Sequence, residues 1–522
     1  MANHIAICCA SEMIVGRWYK LITFPGYDAG LDSIKDYTVT YVCDDDCVML
    51  LHDTVYIKTA GASFTVTATD MNGYTATKII QTIEEPTIER TSHSITPVDW
   101  EDLRAKIAEF GESAYINISE GEYTFSLTDT AIALPYGTVL DFCNSTVKIT
   151  SELQNVAYIG FCIVDDYCGI LNANFVGDDV GKGSTYQASM ESNTVYEKCG
   201  LIKVFAGDYC KIQNVTFGGL PGFNFSAGVW LNPTGSRWRA TNNYNGYIAD
   251  DGTIVPDTSA WTMTDMVNIN STADRGYTVG VIGWGYGPVI GSARLYDIAF
   301  YDSDGNVIRV ERDHQFYRRY YYPEDAAYVR YGMWVAEEPT ELTGYDYNCI
   351  MAMWGGSAYT TKCGNVKELL VDNVSYTDHA SGAFSGTGWL EDIHINRTKA
   401  IGDGWLNNWC FDFEDGWEAM VNGVVSHSVL TGQCVAHSIQ GVTFLSCVLG
   451  SLILATRCYF ATVINSIATN AQLRSTRGCV TTINSYTGTE SIESDSGGMH
   501  KFGAIDPSMA STIRAECLRR IS

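Results

Sequence analysis

The chain repeats a short pattern near its C-terminal end, reading His427-Ser428-Val429, Ser446-Cys447-Val448, Asn465-Ser466-Ile467 and Asn484-Ser485-Tyr486. Each triplet starts 19 positions after the preceding one and sets a small or polar pair before an apolar or aromatic residue. Apolar or β-branched residues precede every triplet in the same register. A fixed period of about twenty residues, with strand formers at one phase and Gly, Asn or Ser at another, is typical of a solenoid.

The repeat unit is too short for a helical repeat, because none of its phases offers the run of about ten helical residues that such repeats need. Each unit instead predicts one turn of a parallel β-helix, which buries its apolar face only by stacking on neighbouring turns. The predicted fold class is therefore all-β.

The composition agrees with this class. Of 522 residues, 46% are hydrophobic and only 18% are charged, which excludes a disordered chain. Glycine (49) and tyrosine (32) are abundant, as expected for a protein with many turns and strands. The length predicts two to four domains.

The formal net charge of −27 limits the partners of the protein. This charge repels phosphate backbones and anionic membrane surfaces, so we expect neither nucleic acid nor a membrane as a partner. An acidic surface suits solubility, or contact with neutral or cationic glycans.

The start Met1-Ala2-Asn3-His4 has no basic segment before an apolar core, and no apolar run approaches the ~18 residues of a membrane span. We therefore expect synthesis in a cytoplasm without a signal peptide. The odd number of cysteines (17), scattered mostly singly, favours reduced and buried thiols. Because Cys8-Cys9 and Cys43…Cys47 lack the second half of a zinc site, we expect no metal and no cofactor.

Two segments precede the predicted β-helix. Residues 1–30 are predicted to be an N-terminal attachment arm. Residues 31–90 alternate polar and apolar positions, as in Ser63-Phe64-Thr65-Val66-Thr67, with Asn, Asp and Gly between the strands. This pattern predicts a small β-sandwich and resembles bacterial immunoglobulin-like modules, which usually serve as spacers.

An amphipathic helix is predicted from residue 99, with Asp99 at its N-cap and Trp100, Leu103 and Ile107 on one face. The next segments read Ile116-x-Ile118-x-x-Gly121-x-Tyr123 and Leu134-Pro135-x-Gly137-Thr138-x-Leu140-Asp141-Phe142. Together they resemble the entry to the pectin-lyase-like right-handed parallel β-helices of phage tailspikes and tail receptor-binding proteins. In that family the helix caps the open end of the solenoid.

The β-helix is predicted at 97–221 and 343–490, with a C-terminal tail or cap at 491–522. Asparagines at one phase of the turns, such as Asn172, Asn214 and Asn373, predict a hydrogen-bonded ladder with a structural role.

The solenoid pattern lapses between residues 222 and 342. The hairpin Phe300-Tyr301-Asp302-Ser303-x-Gly305 and the later Pro323-x-x-Ala326-x-Tyr328-Val329-Arg330 resemble a jelly-roll module of the carbohydrate-binding type. We predict at 222–342 a β-sandwich inserted in a solenoid loop, where insertions cost little.

The strongest candidate for chemistry is the stretch Phe411-Asp412-Phe413-Glu414-Asp415-Gly416-Trp417-Glu418. On a strand, Asp412 and Glu414 share one face at roughly 6.5–7 Å, and the phenylalanines face the core. Glycoside hydrolases use carboxylate pairs at about 5–5.5 Å or about 6.5–9.5 Å. The stretch therefore predicts a polysaccharide hydrolase with Asp412, Glu414 and Asp415 as catalytic residues.

Three further residues rank second as catalytic candidates: Glu418, His437 and Asp403. Counting back one 19-residue period from His437 leads to Glu418, which predicts that the two are neighbours on adjacent turns. Two other interpretations stay open for these acids, a solvated face and a calcium-like cluster of oxygens. A lyase would need a base such as Arg397 or Lys399 beside acidic groups, and we rank it below hydrolysis.

Aromatic side chains are the candidates for contact with sugar rings, because an apolar face stacks on the ring while the polar edge stays in water. The candidate carbohydrate-binding residues are Trp405, Trp409, Trp417, Trp284 and Tyr321.

The resemblance implies a phage tailspike or receptor-binding protein on the virion, at the tail or baseplate, which forms a homotrimer and joins other tail proteins through its N-terminal region. Its expected partner is a bacterial surface polysaccharide, which it binds and, in the stronger form of the hypothesis, hydrolyses. Two alternatives stay open: a non-enzymatic structural or adhesin spike, and a bacterial cell-surface polysaccharidase.

Overall fold

The structure is a computed structural model, and it describes residues 5–25, 37–127, 131–151, 159–177, 200–219, 223–227, 237–239, 243–263, 266–268, 278–282, 295–315, 319–321, 325–334, 351–353, 365–377, 382–386, 389–400, 409–413, 420–437, 439–455, 458–474, 476, 480–493, 496 and 499–521.

The fold is all-β, and its largest part is a sheet of 25 described strands, here called the parallel sheet. Most of its strands pair in parallel with the second or third strand that follows them in the chain. The strands are Thr91–Ile95, Ala114–Ile118, Glu122–Leu127, Ile132–Leu134, Val139–Ser151, Ile159–Ile163, Gly169–Gly177, Gly200–Val204, Gly207–Asp208, Lys211–Gly218, Phe223–Ala227, Asn365–Lys367, Leu370–Thr377, Gly382–Gly386, Trp389–Asn396, Lys399–Ala400, Trp409–Phe413, Met420–Ser426, Val429–His437, Ile439–Leu445, Val448–Ala455, Tyr459–Ile464, Ile467–Arg474, Val480–Ile492 and Met499–Ala504.

The 19-residue period of the sequence equals the number of positions between residues paired on neighbouring strands in this part of the sheet. Val448 lies beside Ile467 on the next parallel strand, and Ile467 lies beside Tyr486. The backbone N–H of Tyr486 donates to the carbonyl oxygen of Ser466 at 2.9 Å, and Ile467 N–H donates to Cys447 in the same way. The prediction that this stretch forms stacked parallel strands is confirmed.

The first residue of each triplet occupies the left-handed region of backbone space. Eight non-glycine residues at equivalent register positions have φ between 44° and 55°, namely Asn172, Asn214, Asn373, Arg397, His427, Ser446, Asn465 and Asn484. Asparagine adopts this conformation at lower cost than most residues, which explains its recurrence at this phase.

Several of these side chains form the predicted ladder. The Nδ2 of Asn172 donates to Asp141 at 2.9 Å, Asn214 donates to Asn172 at 2.9 Å, and Asn373 donates to Asn214 at 2.8 Å. Each bond joins neighbouring strands of the parallel sheet, so the ladder holds their register.

A continuous apolar core runs through the parallel sheet. Aromatic rings stack along it, with the centroids of Phe217 and Tyr376 5.1 Å apart. The helix α1 (Trp100–Phe110) packs on this core through Trp100, Leu103 and Ile107, and Asp99 caps it by accepting the N–H of Asp102 at 2.8 Å. The helix is the predicted one. A second helix, α2, spans Pro507–Ile521.

The described residues 5–25 and 37–83, here called the N-terminal module, have their own core. Their strands are Ile5–Ile7, Glu12–Ile14, Trp18–Lys20, Thr23–Pro25, Val39–Cys43, Val48–Leu51, Thr54–Ile57, Ser63–Asp70 and Thr75–Ile83. Glu12–Ile14 pairs with Thr75–Ile83, and Trp18–Lys20 pairs with Thr54–Ile57. The stretch predicted as a separate arm therefore contributes strands to the same core as the residues predicted to form the sandwich.

The region around the predicted insert forms two antiparallel sheets of four and six described strands. The strands are Arg237–Arg239, Asn243–Ile248, Ile254–Met263, Val267–Asn268, Thr278–Ile282, Leu295–Tyr301, Val307–Gln315, Arg319–Tyr321, Tyr328–Trp334 and Met351–Met353. The predicted boundaries differ from the structure at both ends. Phe223–Ala227 still pairs within the parallel sheet, whereas Met351–Met353 pairs antiparallel with Arg237–Arg239.

The N-terminal module packs across one face of the parallel sheet. Five neighbouring strands carry a buried side chain at the same register position of this face: His394, Val424, Thr443, Thr462 and Thr481. These side chains alternate with core residues along their strands, so without the module they would face solvent. Gly441, inside the strand Ile439–Leu445 beneath the module, has a φ of 89°, and a Cβ there would lie 2.4 Å from Ile22 Cδ1. Glycine is required at this close approach.

Buried polar groups hold the two parts together. The ammonium group of Lys20 is fully buried and lies 2.6 Å from both Asp53 Oδ2 and Thr462 Oγ1. The hydroxyl of Thr462 donates to the same carboxylate at 2.8 Å. Burial lowers the pKa of Lys20, and the carboxylate of Asp53 opposes this shift.

We predict that Lys20→Met destabilises the protein by about 3–5 kcal/mol, because it leaves the Asp53 carboxylate buried without its cation. The free energy of unfolding in urea measures the effect. Lys106→Met is the matched control, since Lys106 pairs with Asp102 at the surface of α1 and its loss should change stability little. Equal effects of the two substitutions would contradict the role assigned to Lys20.

Candidate functional site

The strand Trp409–Phe413 carries the described part of the predicted catalytic stretch. Phe411 and Phe413 lie in the core of the parallel sheet, as expected. Asp412 alternates with them and is paired in register with Ser385 on one side and Val435 on the other. Its side chain is only 4% exposed. The Asp412 side chain is therefore buried and does not lie on a solvated face.

Most of the other predicted site residues lie outside the described residues: Glu414, Asp415, Glu418, Asp403, Trp405, Trp417 and Trp284. Trp409 and Tyr321 lie in strands whose backbone is described, without a description of these two side chains. The predicted separation of Asp412 and Glu414 thus stays a prediction.

The predicted neighbour relation of His437 and Glu418 used the wrong offset. His437 is the last residue of a strand in which Ala436 pairs with Phe413, 23 positions earlier. On its other side, His437 pairs with Ala455. The register offset is 19 residues at Val429 but 18 at His437, and on the preceding side of this strand it is 23 residues. Counting back 19 positions therefore does not reach the register partner of His437.

A cleft of about 460 Å³ lies between the N-terminal module and the parallel sheet. The module contributes Arg17, Trp18 and Tyr56 to its lining, and the sheet contributes His394, Arg397 and His427, together with Asn396 and Ser426. No part of this cleft was predicted as a site from the sequence, although Arg397 was considered as a base.

An aromatic pair forms one wall of the cleft. The rings of Trp18 and Tyr56 lie 5.0 Å apart between centroids at an interplanar angle of 45°. They stand opposite each other on paired antiparallel strands, where cross-strand neighbours come into contact. Both side chains are half-buried, so part of each ring stays available to a ligand.

Beneath the cleft lies a cluster of buried charged groups around Glu368. Its Oε2 lies 2.8 Å from His394 Nε2 and 3.0 Å from Arg17 Nη1, and it accepts the Tyr19 hydroxyl at 3.1 Å. Burial raises the pKa of Glu368, but the neighbouring His394 and Arg17 outweigh it and hold the pKa below its usual range. The second ring nitrogen of His394, Nδ1, is buried without a hydrogen-bond partner among the described residues.

A second carboxylate orients Arg397 at the rim. Asp372 accepts Nε of Arg397 at 2.8 Å and also contacts Nη2, and it accepts amide groups of Gln213 at 3.0 Å and Asn396 at 2.9 Å. Burial raises the pKa of Asp372, but these donors outweigh it and lower the pKa. The Arg397 side chain remains 58% exposed.

Sequence reasoning missed this cleft because its two halves are far apart in the chain. Trp18 and Tyr56 precede His394 and Arg397 by more than three hundred positions. Neither half carries a local sequence pattern that identifies a partner surface.

Within the described residues, no three His, Cys, Asp or Glu side chains are grouped closely enough to hold a metal ion. None of the helices in the described part of the chain is long and apolar enough to cross a membrane. Neither the comparison with protein-family models nor the search of curated proteins finds a match to the chain.

We predict that Asp372 contributes stability that depends on pH. Because its folded pKa lies below the unfolded value of about 3.9, the contribution is fully present above that pH and is lost as pH falls through the folded pKa. The difference in melting temperature between the wild type and Asp372→Asn should therefore shrink as the pH is lowered from about 5 to about 2.5. Asp304→Asn, in an exposed turn, is the control, and a difference for Asp372→Asn that does not change with pH would contradict the prediction.

Proposed function

We propose that this chain is a right-handed parallel β-helix of the pectin-lyase-like type and serves as a phage tailspike or tail receptor-binding protein. The parallel registers at a constant offset and the column of left-handed corner residues support this architecture. The helix α1 on the apolar core supports it as well, because a solenoid needs a cap at its open end.

The ligand proposed for this protein is a bacterial surface polysaccharide. The observation that carries the proposal is the cleft beside the parallel sheet, with its aromatic wall of Trp18 and Tyr56 and its hydrogen-bonding groups. Ligand sites combine a largely preformed concave surface with a few polar groups that fix orientation, and rings such as tryptophan stack on sugars.

The stronger form of the proposal adds hydrolysis at Asp412 and Glu414. The buried Asp412 carboxylate, placed on the face of the strand opposite the core, supports this addition. The alternative is a spike that binds a polysaccharide without cleaving it.

We expect the purified protein to bind host capsular or wall polysaccharide and to release new reducing ends from it. The double variant Asp412→Asn, Glu414→Gln should bind the polymer and release none, because it lacks the proton donor and the base. Sedimentation of the polymer with the protein measures binding, and a reducing-end assay measures cleavage. Binding without cleavage by the wild type removes the hydrolase claim, and the absence of binding removes the proposed function.

The proposal also places the protein on the virion as a homotrimer, joined to other tail proteins through its N-terminal region. Light scattering should give three times the chain mass of 57.4 kDa. A monomer at micromolar concentration would contradict the spike interpretation.

A further inference from the structure

We infer that the cleft between the N-terminal module and the parallel sheet is a composite binding site for a negatively charged sugar residue. That the ligand is a saccharide rests on the proposed function, whereas its charge follows from the cleft itself. The module is then half of a binding site and not only a spacer.

The charge of the cleft differs from that of the chain. The whole chain carries a formal net charge of −27. The described lining of the cleft nevertheless contains Arg17, His394, Arg397 and His427 and no carboxylate side chain. Asp372, which pairs with Arg397, is almost completely buried, and Arg17 pairs with the buried Glu368 and with Glu85, whose side chain is 28% exposed but does not line the cleft. An anion in the cleft would therefore meet cationic and hydrogen-bond-donating groups first.

Arg397 is held ready for such an anion. Asp372 contacts its Nε and Nη2, which fixes the guanidinium plane, while more than half of the side chain stays exposed. The exposed His427 follows Arg397 in the same column of left-handed corners and lies 3.3 Å from Asn396 Oδ1 through its Nδ1. A planar, pre-oriented guanidinium suits a carboxylate or phosphate group.

The imidazole of His394 gives an independent indication of a ligand. Its ring is 5% exposed, lines the cleft and uses Nε2 on Glu368, whereas Nδ1 has no hydrogen-bond partner among the described residues. A buried polar atom without a partner is costly, which points to a group that the ligand supplies. A sugar hydroxyl, which can both donate and accept, would supply the missing partner of Nδ1.

The aromatic wall completes the site. A sugar ring stacked on Trp18 would lie next to Tyr56, which keeps the indole in place. The opposite side of the cleft, formed by Arg397 and His427, would then face the charged substituent of the ring.

The test uses three small probes on the full chain: methyl β-D-glucuronide, glucose 6-phosphate and methyl β-D-glucoside. We expect at least one anionic probe to bind more tightly than the neutral one, and the preferred anion tells a carboxylate from a phosphate. The double variant Arg397→Asn, His427→Asn should weaken the binding of that probe by about ten-fold or more. Asparagine already occupies equivalent left-handed corners at 373 and 465, so the backbone should tolerate both changes.

Arg104→Gln is the matched control, because Arg104 is also a partly exposed arginine paired with a carboxylate, Glu101. It should bind the probes like the wild type. Trp18→Leu should weaken all three probes, since stacking does not depend on charge. Equal binding of neutral and anionic probes, or no loss in the Arg397, His427 double variant, overturns the inference. If host polysaccharide binds while no probe does, the composite site fails and the proposed function stands; if the polysaccharide does not bind, the proposed function fails.

Discussion

Each strand of the parallel sheet depends on the strands stacked beside it. A single strand has no partner for its backbone groups and no cover for its apolar side chains, so it is stable only between neighbouring strands. The 19-residue register at Val448, Ile467 and Tyr486 meets both needs at once, since it aligns the hydrogen bonds and the core side chains. Left-handed residues recur at eight equivalent register positions of the described strands, where the backbone changes direction in the same way each time.

The N-terminal module packs on one face of this sheet. The N-terminal module contacts that face through buried threonines, the Lys20 ammonium group and the ion pair of Arg17 with Glu368. Such contacts need their partners in place, because a buried charge without a partner is expensive. These contacts therefore favour one position of the module over the sheet, with the cleft between the two parts.

Local patterns predicted local structure well. Asp99 and the spacing of Trp100, Leu103 and Ile107 predicted α1, and the asparagine phase predicted the ladder of Asn172, Asn214 and Asn373. The offset at His437 failed because the turn before it is longer than 19 residues, which a period measured further along the chain does not reveal. Met351–Met353 was assigned to the β-helix because short apolar runs look alike in parallel and antiparallel sheets.

The sequence by itself determined the all-β class, the parallel pairing after residue 427 and the helix α1, because these depend on residues close together in the chain or on a regular repeat. It also placed Phe411 and Phe413 in the core through strand alternation. Only the tertiary structure decided which surfaces meet. Trp18, Tyr56, His394 and Arg397 share a cleft because the N-terminal module docks on the sheet. No local pattern encodes that contact, since it depends on the shape and charge of two surfaces that exist only after both parts have folded.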